Sequence, residues 1–442
     1  MTNKMEDRIK QAIFQYDKTL IVKPKQIEAL CHVLNGENVI VNLPVGYGKS
    51  LLYHVLPVLL KSDEQPYPVV IVISPLNIIQ KDQLGSLSEH GTTSCRLNIE
   101  ATLSEVTEDG EVFSVKSTDN LEDVALGKYN IVFCHPEALL NTAQGRKLLD
   151  NELFCNKVVA VVVDECHIID KWGEEFRTAF RKLSGIKSLF PSVPLMGLSG
   201  TLTVEQKKTI SKQLGLEKYK LVEETPDKPN IFLEKHRKGC GSDVMSEYET
   251  IVHEVCDRLY EHQAKFPITL LFIPVYYMSE VLMYLNGLFK PSNINEAIYS
   301  AICSGQDEYV INTTIEELKK ENSRIRLVLT TSIAGMGFDP NNVSHVIHTC
   351  PPRNASQYLQ EIGRAGCRGQ TARATLYFGN RDIATNLPGI KQDIITYCRT
   401  EDSCLRNCLL AVFGFEKADN ITDCKCCSYC NSHCICEECV TV

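Results

Sequence analysis

VVAVVVDECHIIDKWGEEFR, residues Val158 to Arg177, is the stretch from which the fold of this chain can be read. Val158 to Val163 is a short run of small, mostly β-branched apolar side chains, which predicts a strand buried on both faces of a parallel sheet. Asp164 and Glu165 follow at its carboxyl end, where an open α/β sheet places its ligands. One such acid can hold Mg²⁺ while its neighbour orients a water, although an acidic turn after a core strand would read the same from the dipeptide alone.

Working outward toward the N-terminus, Asn38 to Leu43 (NVIVNL) predicts another buried strand. It leads into Pro44-Val45-Gly46-Tyr47-Gly48-Lys49-Ser50 and an apolar helix, LLYHVLPVLL. A strand, a glycine-bearing loop, GKS and a helix form the phosphate cradle of a P-loop. Backbone N–H groups and the helix N-terminus hold phosphates, Lys49 reaches the outer ones and Ser50 ligates Mg²⁺. The usual spacing would put a further glycine where Leu43 stands. Val69–Ser74 and Ile131–Cys134 predict two more buried strands, and Leu195–Leu202 another with a Ser199-Gly200-Thr201 exit. Gly91–Lys128, polar and without periodicity, predicts short strands and surface loops. Trp172, the chain's one tryptophan, lies in a polar segment beside Gly173. An aromatic so placed either stacks on a ligand or packs on its own domain.

Toward the C-terminus, Thr225-Pro226-Asp227-Lys228-Pro229-Asn230 reads as a proline-marked connection. The strand and helix alternation then resumes with strands predicted at Ile268–Ile273, Ile325–Thr331, Val343–His348 and Arg373–Phe378, a second parallel sheet without a second GKS. Ser332 to Asp339 is a small-residue loop at a strand end. Gln357 to Gly369 starts as a helix and ends in a glycine-spaced arginine turn holding Arg364 and Arg368. Arginines so held can stabilise the charge of a γ-phosphate in its transition state, though a solvated basic turn has the same composition.

Composition bounds the rest. At 442 residues, 44% hydrophobic and 23% charged, the chain is long enough for two or three ordinary globular domains. A net charge of −9 excludes a global basic field, so any nucleic acid must be met by local patches. No apolar run suits a membrane span and no secretory leader precedes the first strands, which predicts an intracellular protein. Ten of the 20 cysteines fall between Cys398 and Cys439. Cys424, Cys427 and Cys430, at C-x-x-C-x-x-C spacing, together with Cys404 upstream, predict a closed structural zinc site whose metal supplies most of the folding free energy of a short tail. Cys426, Cys434, Cys436 and Cys439 are left over. They are open to three readings, as substitute ligands, as a second partial site or as reduced surface thiols, and the last is the expectation.

In order and spacing, GKS at Gly48–Ser50, DECH at Asp164–His167, the KWGEEFR that follows, Ser199-Gly200-Thr201, Pro352-Arg353-Asn354 and the Arg364 turn resemble the motifs of the RecQ-family ATP-dependent DNA helicases of superfamily 2, in a short form without winged-helix and HRDC modules. The resemblance implies two tandem RecA-like P-loop domains with parallel sheets, set at 1–214 and 215–386, followed by a small cysteine-rich zinc-binding module at 387–442. It implies 3′ to 5′ translocation on single-stranded DNA, unwinding of tailed duplex, and a nuclear role in DNA repair, recombination or replication. ATP and Mg²⁺ would be held by Pro44, Val45, Gly46, Tyr47, Gly48, Lys49, Ser50, Asp164 and Asp339, with Gln26 reading the nucleobase. Catalysis would fall to Lys49, Asp164, Glu165, His167, Arg364 and Arg368, and DNA coupling to Trp172, Phe176 and Arg177. Two departures stand out. Lys23 replaces the arginine usual beside Gln26, and the family's second arginine would fall at Cys367, one place before Arg368. An alternative of another class follows from them, a catalytically weakened, nucleotide-gated nucleic-acid-binding protein. RNA unwinding is a third possibility.

Overall fold

The computed structural model describes all of the chain except residues 1, 75–83, 108–109, 118–119, 141, 168–182, 184, 240–243, 292–295, 304–305, 332–339, 419–420 and 437–442. Trp172, Phe176, Arg177, Asp339 and Cys439 therefore lie outside the described residues. The chain divides into two compact units, Met1–Thr225 and Pro226–Val442.

In the first unit, β1 (Val39–Asn42), β2 (Val69–Ile73), β3 (Ser94–Thr107), β4 (Gly110–Ser117), β5 (Ile131–Cys134), β6 (Val158–Val163), β7 (Leu195–Ser199) and β8 (Lys220–Glu223) form one sheet. Its order is β4-β3-β5-β2-β6-β7-β1-β8. All neighbours are parallel except β3 and β4. The valine-rich strands β1 and β2 are buried along their whole length, as strands covered by helices on both faces must be. Gly91–Lys128 is more regular than its composition suggests, because β3 and β4 pair antiparallel over much of it. β8 pairs with β1, and this compact unit runs to Thr225, the start of the proline-marked connection.

The second unit carries β9 (Ile231–Arg237), β10 (Thr269–Phe272), β11 (Tyr299–Ile302), β12 (Leu327–Thr330), β13 (His345–His348) and β14 (Ala372–Phe378). They form a parallel sheet in the order β11-β12-β10-β13-β14-β9. β9 and β11 close its two edges and were not apparent in the sequence. In β9 only alternate residues, Ile231 and Leu233, face the core, so the segment IFLEKHR reads as polar.

The cysteine-rich tail falls within this compact unit and packs against its sheet. Ile394, Ile395, Tyr397, Leu405, Leu409 and Phe413 share one apolar core with Ile231, Leu233, Ala374 and Leu376 of the sheet. The expectation that so short a tail lacks a core of its own holds. The apolar residues of the tail are completed by those of the sheet. Among the described residues no helix is long and apolar enough to cross a membrane.

Candidate nucleotide site and cysteine centre

Because β6, β7 and β1 are neighbours, their three carboxyl-end segments arrive side by side, and hydrogen bonds tie them together. The Leu43 amide donates to the Ser199 carbonyl at 2.9 Å, and the Leu202 amide to Asn42 Oδ1 at 3.0 Å. His167, buried, places Nδ1 3.1 Å from Ser199 Oγ and 3.2 Å from a Glu165 carboxylate oxygen. The DECH segment is thereby in contact with the Ser199-Gly200-Thr201 turn, and that turn with the start of the GKS loop.

Gly48 is the N-cap of the helix Lys49–Leu59, at φ 88°. Only glycine adopts this conformation without strain, and it aims the first helical N–H groups into the loop, where they suit phosphate oxygens. Lys49 Nζ lies 3.1 Å from the Leu43 carbonyl and 3.5 Å from that of Pro44. A Cβ on Gly200 would stand 3.1 Å from the same Nζ, so the glycine of that turn leaves the lysine its room.

Asp164 is buried at the end of β6 and accepts the Glu165 amide at 2.9 Å. Burial, and then the charge of Glu165, push its carboxyl up to about 7, with Lys49 opposing them. A buried carboxylate with a second acid beside it is a ready ligand for a divalent cation, which would offset the desolvation that now favours the proton. Glu165 is held at φ 49°, a left-handed conformation that strains a side-chain-bearing residue by about 1–2 kcal/mol. Strain of this kind gathers at functional sites. Asp164, Lys49 and Ser50 thus fit Mg²⁺ and a triphosphate by position and chemistry.

Gln26 is tied to the GKS loop. Its Nε2 donates to the carbonyls of Tyr47 and Gly48, both at 3.0 Å, and its Oε1 accepts the Lys23 amide at 2.9 Å. Its amide braces the loop. Lys23 adds to the brace, with Nζ 3.1 Å from the Gly46 carbonyl and 4.5 Å from the centre of the Tyr47 ring. A Cβ on Gly48 would meet Gln26 Nε2 at 2.8 Å. Gly48→Ala is therefore expected to weaken nucleotide binding about tenfold, from about 1–2 kcal/mol of left-handed strain before the clash is counted. Calorimetric titration with a non-hydrolysable nucleotide would measure it.

In the second unit, the helix Ala355–Ile362 is capped by Asn354, whose side chain accepts the Gln357 amide. Beneath it the buried His348 and Glu361 pair at 2.7 Å. Arg364 follows, largely buried, and Gly366 and Gly369 turn the chain through left-handed φ of 62° and 83°. Arg368 projects from that turn, half exposed and 3.7 Å from Glu321. Cys367 turns the other way and packs its thiol against the Gly363 and Arg364 carbonyls at 3.4 and 3.3 Å.

Thr225–Asn230 proves to be more than a connection. Asn230 Nδ2 donates to the carbonyls of Gly366 and Gln370 at 2.9 and 2.7 Å, and Lys228 to that of Gly363. Asp227 forms a buried ion pair with Arg406, whose Nη2 also reaches the carbonyls of Ile231 and Cys426. The arginine turn, the edge strand β9 and the cysteine region are pinned to one six-residue segment.

The ligand set expected for zinc is corrected in one member. The thiols that converge are those of Cys404, Cys426, Cys427 and Cys430, all within 4.8 Å of one another, and Cys424 is not among them. The reason is local. Asp423–Cys426 is a helical turn, and residues two apart on a helix point about 200° apart. Cys426 is therefore turned into the core and Cys424 out of it. Cys404 Sγ lies 3.6 Å from Cys426 Sγ and 4.0 Å from Cys427 Sγ, and the Cys430 amide points at Cys427 Sγ from 3.5 Å. Hydrogen bonds from the Cys404 and Cys426 thiols hold the Cys427 thiol well below its ordinary range. Four cysteine sulfurs at this separation, one already favoured as thiolate, fit a tetrahedral zinc ion.

The class is now defined. Residues 23–210 match the DEAD/DEAH box helicase family and residues 253–369 the helicase conserved C-terminal domain, and the chain carries both domains in that order. Over most of its length the chain is similar to RecQ-family helicases. It is 26% identical over 403 residues to the Saccharomyces cerevisiae ATP-dependent helicase SGS1, covering 91% of this chain and 26% of that protein. It is likewise 26% identical over 444 residues to the Bacillus subtilis ATP-dependent DNA helicase RecQ, covering 94% of this chain and 65% of that one. The chain thus spans about a quarter of the yeast relative and under two thirds of the bacterial one. A crystal structure of the DUF1998 helicase MrfA bound to DNA and AMPPNP shares the fold, with a TM-score of 0.66 at 15% identity over 95% of this chain and 59% of that one. The RecQ-family resemblance announced by the motifs is borne out, and so are the two RecA-like domains with parallel sheets.

Proposed function

We propose that this chain is an ATP-driven DNA helicase that moves 3′ to 5′ on single-stranded DNA and opens tailed duplexes. The observation that carries the reading is the joining of the GKS, DECH and Ser199-Gly200-Thr201 segments by hydrogen bonds at adjacent strand ends, with the buried Asp164 beside Lys49. In this reading Lys49 and the N-terminus of its helix hold the β- and γ-phosphates, Ser50 and Asp164 hold Mg²⁺, and Glu165 orients the attacking water. His167, touching both Glu165 and Ser199, relays the state of the acid to the next motif. Arg364 and Arg368 of the second unit supply cationic charge to the transition state, Asp339 completes the nucleotide contacts, and Trp172, Phe176 and Arg177 couple DNA to hydrolysis. Cys404, Cys426, Cys427 and Cys430 hold a structural zinc. The name of the Bacillus subtilis relative supports DNA as the track, and a role in repair, recombination or replication in a nucleus is proposed from the motif resemblance alone.

The test is ATP turnover with and without single-stranded DNA, run beside strand displacement from duplexes tailed at the 3′ or the 5′ end. Stimulation by DNA and release only from the 3′-tailed substrate are expected. Release only from the 5′-tailed substrate would refute the polarity, and no release from either would refute the motor. One observation favours a second reading, a nucleotide-gated clamp. The position where the family's second arginine is expected holds Cys367, turned into its own loop, and Arg368 faces Glu321. A clamp would bind single-stranded DNA in a nucleotide-dependent way and displace nothing.

A further inference from the structure

Once Cys426 is drawn into the first cluster, Cys424 is left on the opposite side of its helical turn, and it is not alone there. Its thiol, that of Cys434 and that of Cys436 lie within 4.8 Å of one another. These three come from two segments ten residues apart, and hydrogen bonds keep the segments together. Asn431 Nδ2 donates to the Cys424 carbonyl at 3.1 Å, and the Cys434 amide donates to the Asn431 carbonyl at 3.2 Å.

The chain between Cys434 and Cys436 makes a costly choice. Both neighbours of Ile435 bring their sulfurs to that of Cys424, and Ile435 is left 89% exposed. Leaving an isoleucine in water forgoes burial of a large apolar side chain, so something other than packing orients this segment. Three thiols are poor partners for one another as donors and acceptors, and as thiolates they would repel. A soft divalent ion removes both difficulties. Tetrahedral zinc with Zn–S bonds near 2.3 Å sets its sulfurs about 3.8 Å apart, so three sulfurs within 4.8 Å need shift by about an ångström at most to share one ion.

We propose that Cys424, Cys434 and Cys436 form a second zinc site, distinct from the buried one, which clips the segment after the helix Ser428–Ser432 back onto the turn Asp423–Cys426. Thiolate ligation selects zinc over Mg²⁺ or Ca²⁺. The fourth position takes water. The two sites are of different kinds. The first has three buried cysteines and a partly buried one against the sheet core, and the second has three partly buried ones, so its ion exchanges faster.

The experiment counts zinc by elemental analysis in the full chain, purified without chelator or metal-affinity tag and read without nucleotide, so that it is independent of helicase activity. Two equivalents per chain are expected. The Cys434→Ser/Cys436→Ser double variant should keep one, together with wild-type ATP turnover, and Cys424→Ser should also keep one. Wild-type protein with a single equivalent overturns the proposal. Loss of all zinc in Cys424→Ser also overturns it, since Cys424 would then belong to the only site. Two equivalents surviving in the double variant would likewise refute the assignment. Should a variant fail to fold, release from wild-type protein by stepwise mercurial titration decides. One fast and one slow equivalent support two unlike sites, and a single phase counts against them.

Discussion

Lys49→Ala is expected to lower DNA-stimulated ATP turnover by about 10²–10³, the scale seen when one preorganised charge donor is removed from a reacting centre. Two effects act together. The ammonium that would meet the outer phosphates is gone, and so is the cation that opposes protonation of the buried Asp164. With burial and the Glu165 charge opposed only by the Glu165 amide, the Asp164 carboxyl rises further above its present position of about 7, and Mg²⁺ must compete with a proton for it at neutral pH. Raising Mg²⁺ should therefore recover a small part of the loss and raising pH another, while neither replaces the lysine. A circular-dichroism spectrum like that of the wild type would separate this from misfolding, because Lys49 lies at the start of its helix and outside the apolar core. Turnover within tenfold of wild type would mean that the phosphates are held elsewhere, and the motor reading would fall with it.

The parts of this site that were legible in the sequence are those where one residue type has one physical use. Val158–Val163 could only be a doubly covered strand, and its limits are those of β6. Ile131–Cys134 likewise coincides with β5. GKS between a strand and a helix, and acids at a strand end, locate themselves because parallel sheets put every such exit on one edge. What could not be read depends on rotation and on pairing. C-x-x-C-x-x-C spacing says nothing about whether the chain through Cys424 is helical, and a single helical turn there exchanges Cys426 for Cys424. Gln26 stands where a nucleobase reader is expected, yet its direction is set by the carbonyls of Tyr47 and Gly48, which no local pattern encodes. β9 escaped because half of an edge strand is polar, and Thr225–Asn230 because its partners lie 130 to 180 residues further on.

That last segment also governs the stability of the second unit. Asp227 and Arg406 are paired with only 5% and 2% of their side chains exposed, and the Arg406 Nη atoms also donate to the carbonyls of Lys228, Ile231 and Cys426. Those four acceptors belong to the unit's entry segment, its edge strand and the first cysteine cluster, so one guanidinium holds three parts of the chain in register. Arg406→Ala takes the guanidinium away from a buried carboxylate and three carbonyls, and it is expected to destabilise the unit by about 3–5 kcal/mol. Arg406→Lys should recover only part of this, because an ammonium cannot spread its donors over so wide an arc. The double variant Asp227→Leu/Arg406→Met should be milder than Arg406→Ala alone, since most of the cost lies in the orphaned charge and not in the lost pair. Denaturant melts of the three variants would give the ordering. If Arg406→Ala melts as the wild type does, the guanidinium is not the clamp, and the contact between the cysteine region and β9 rests on the apolar core around Leu405, Leu409 and Phe413 alone.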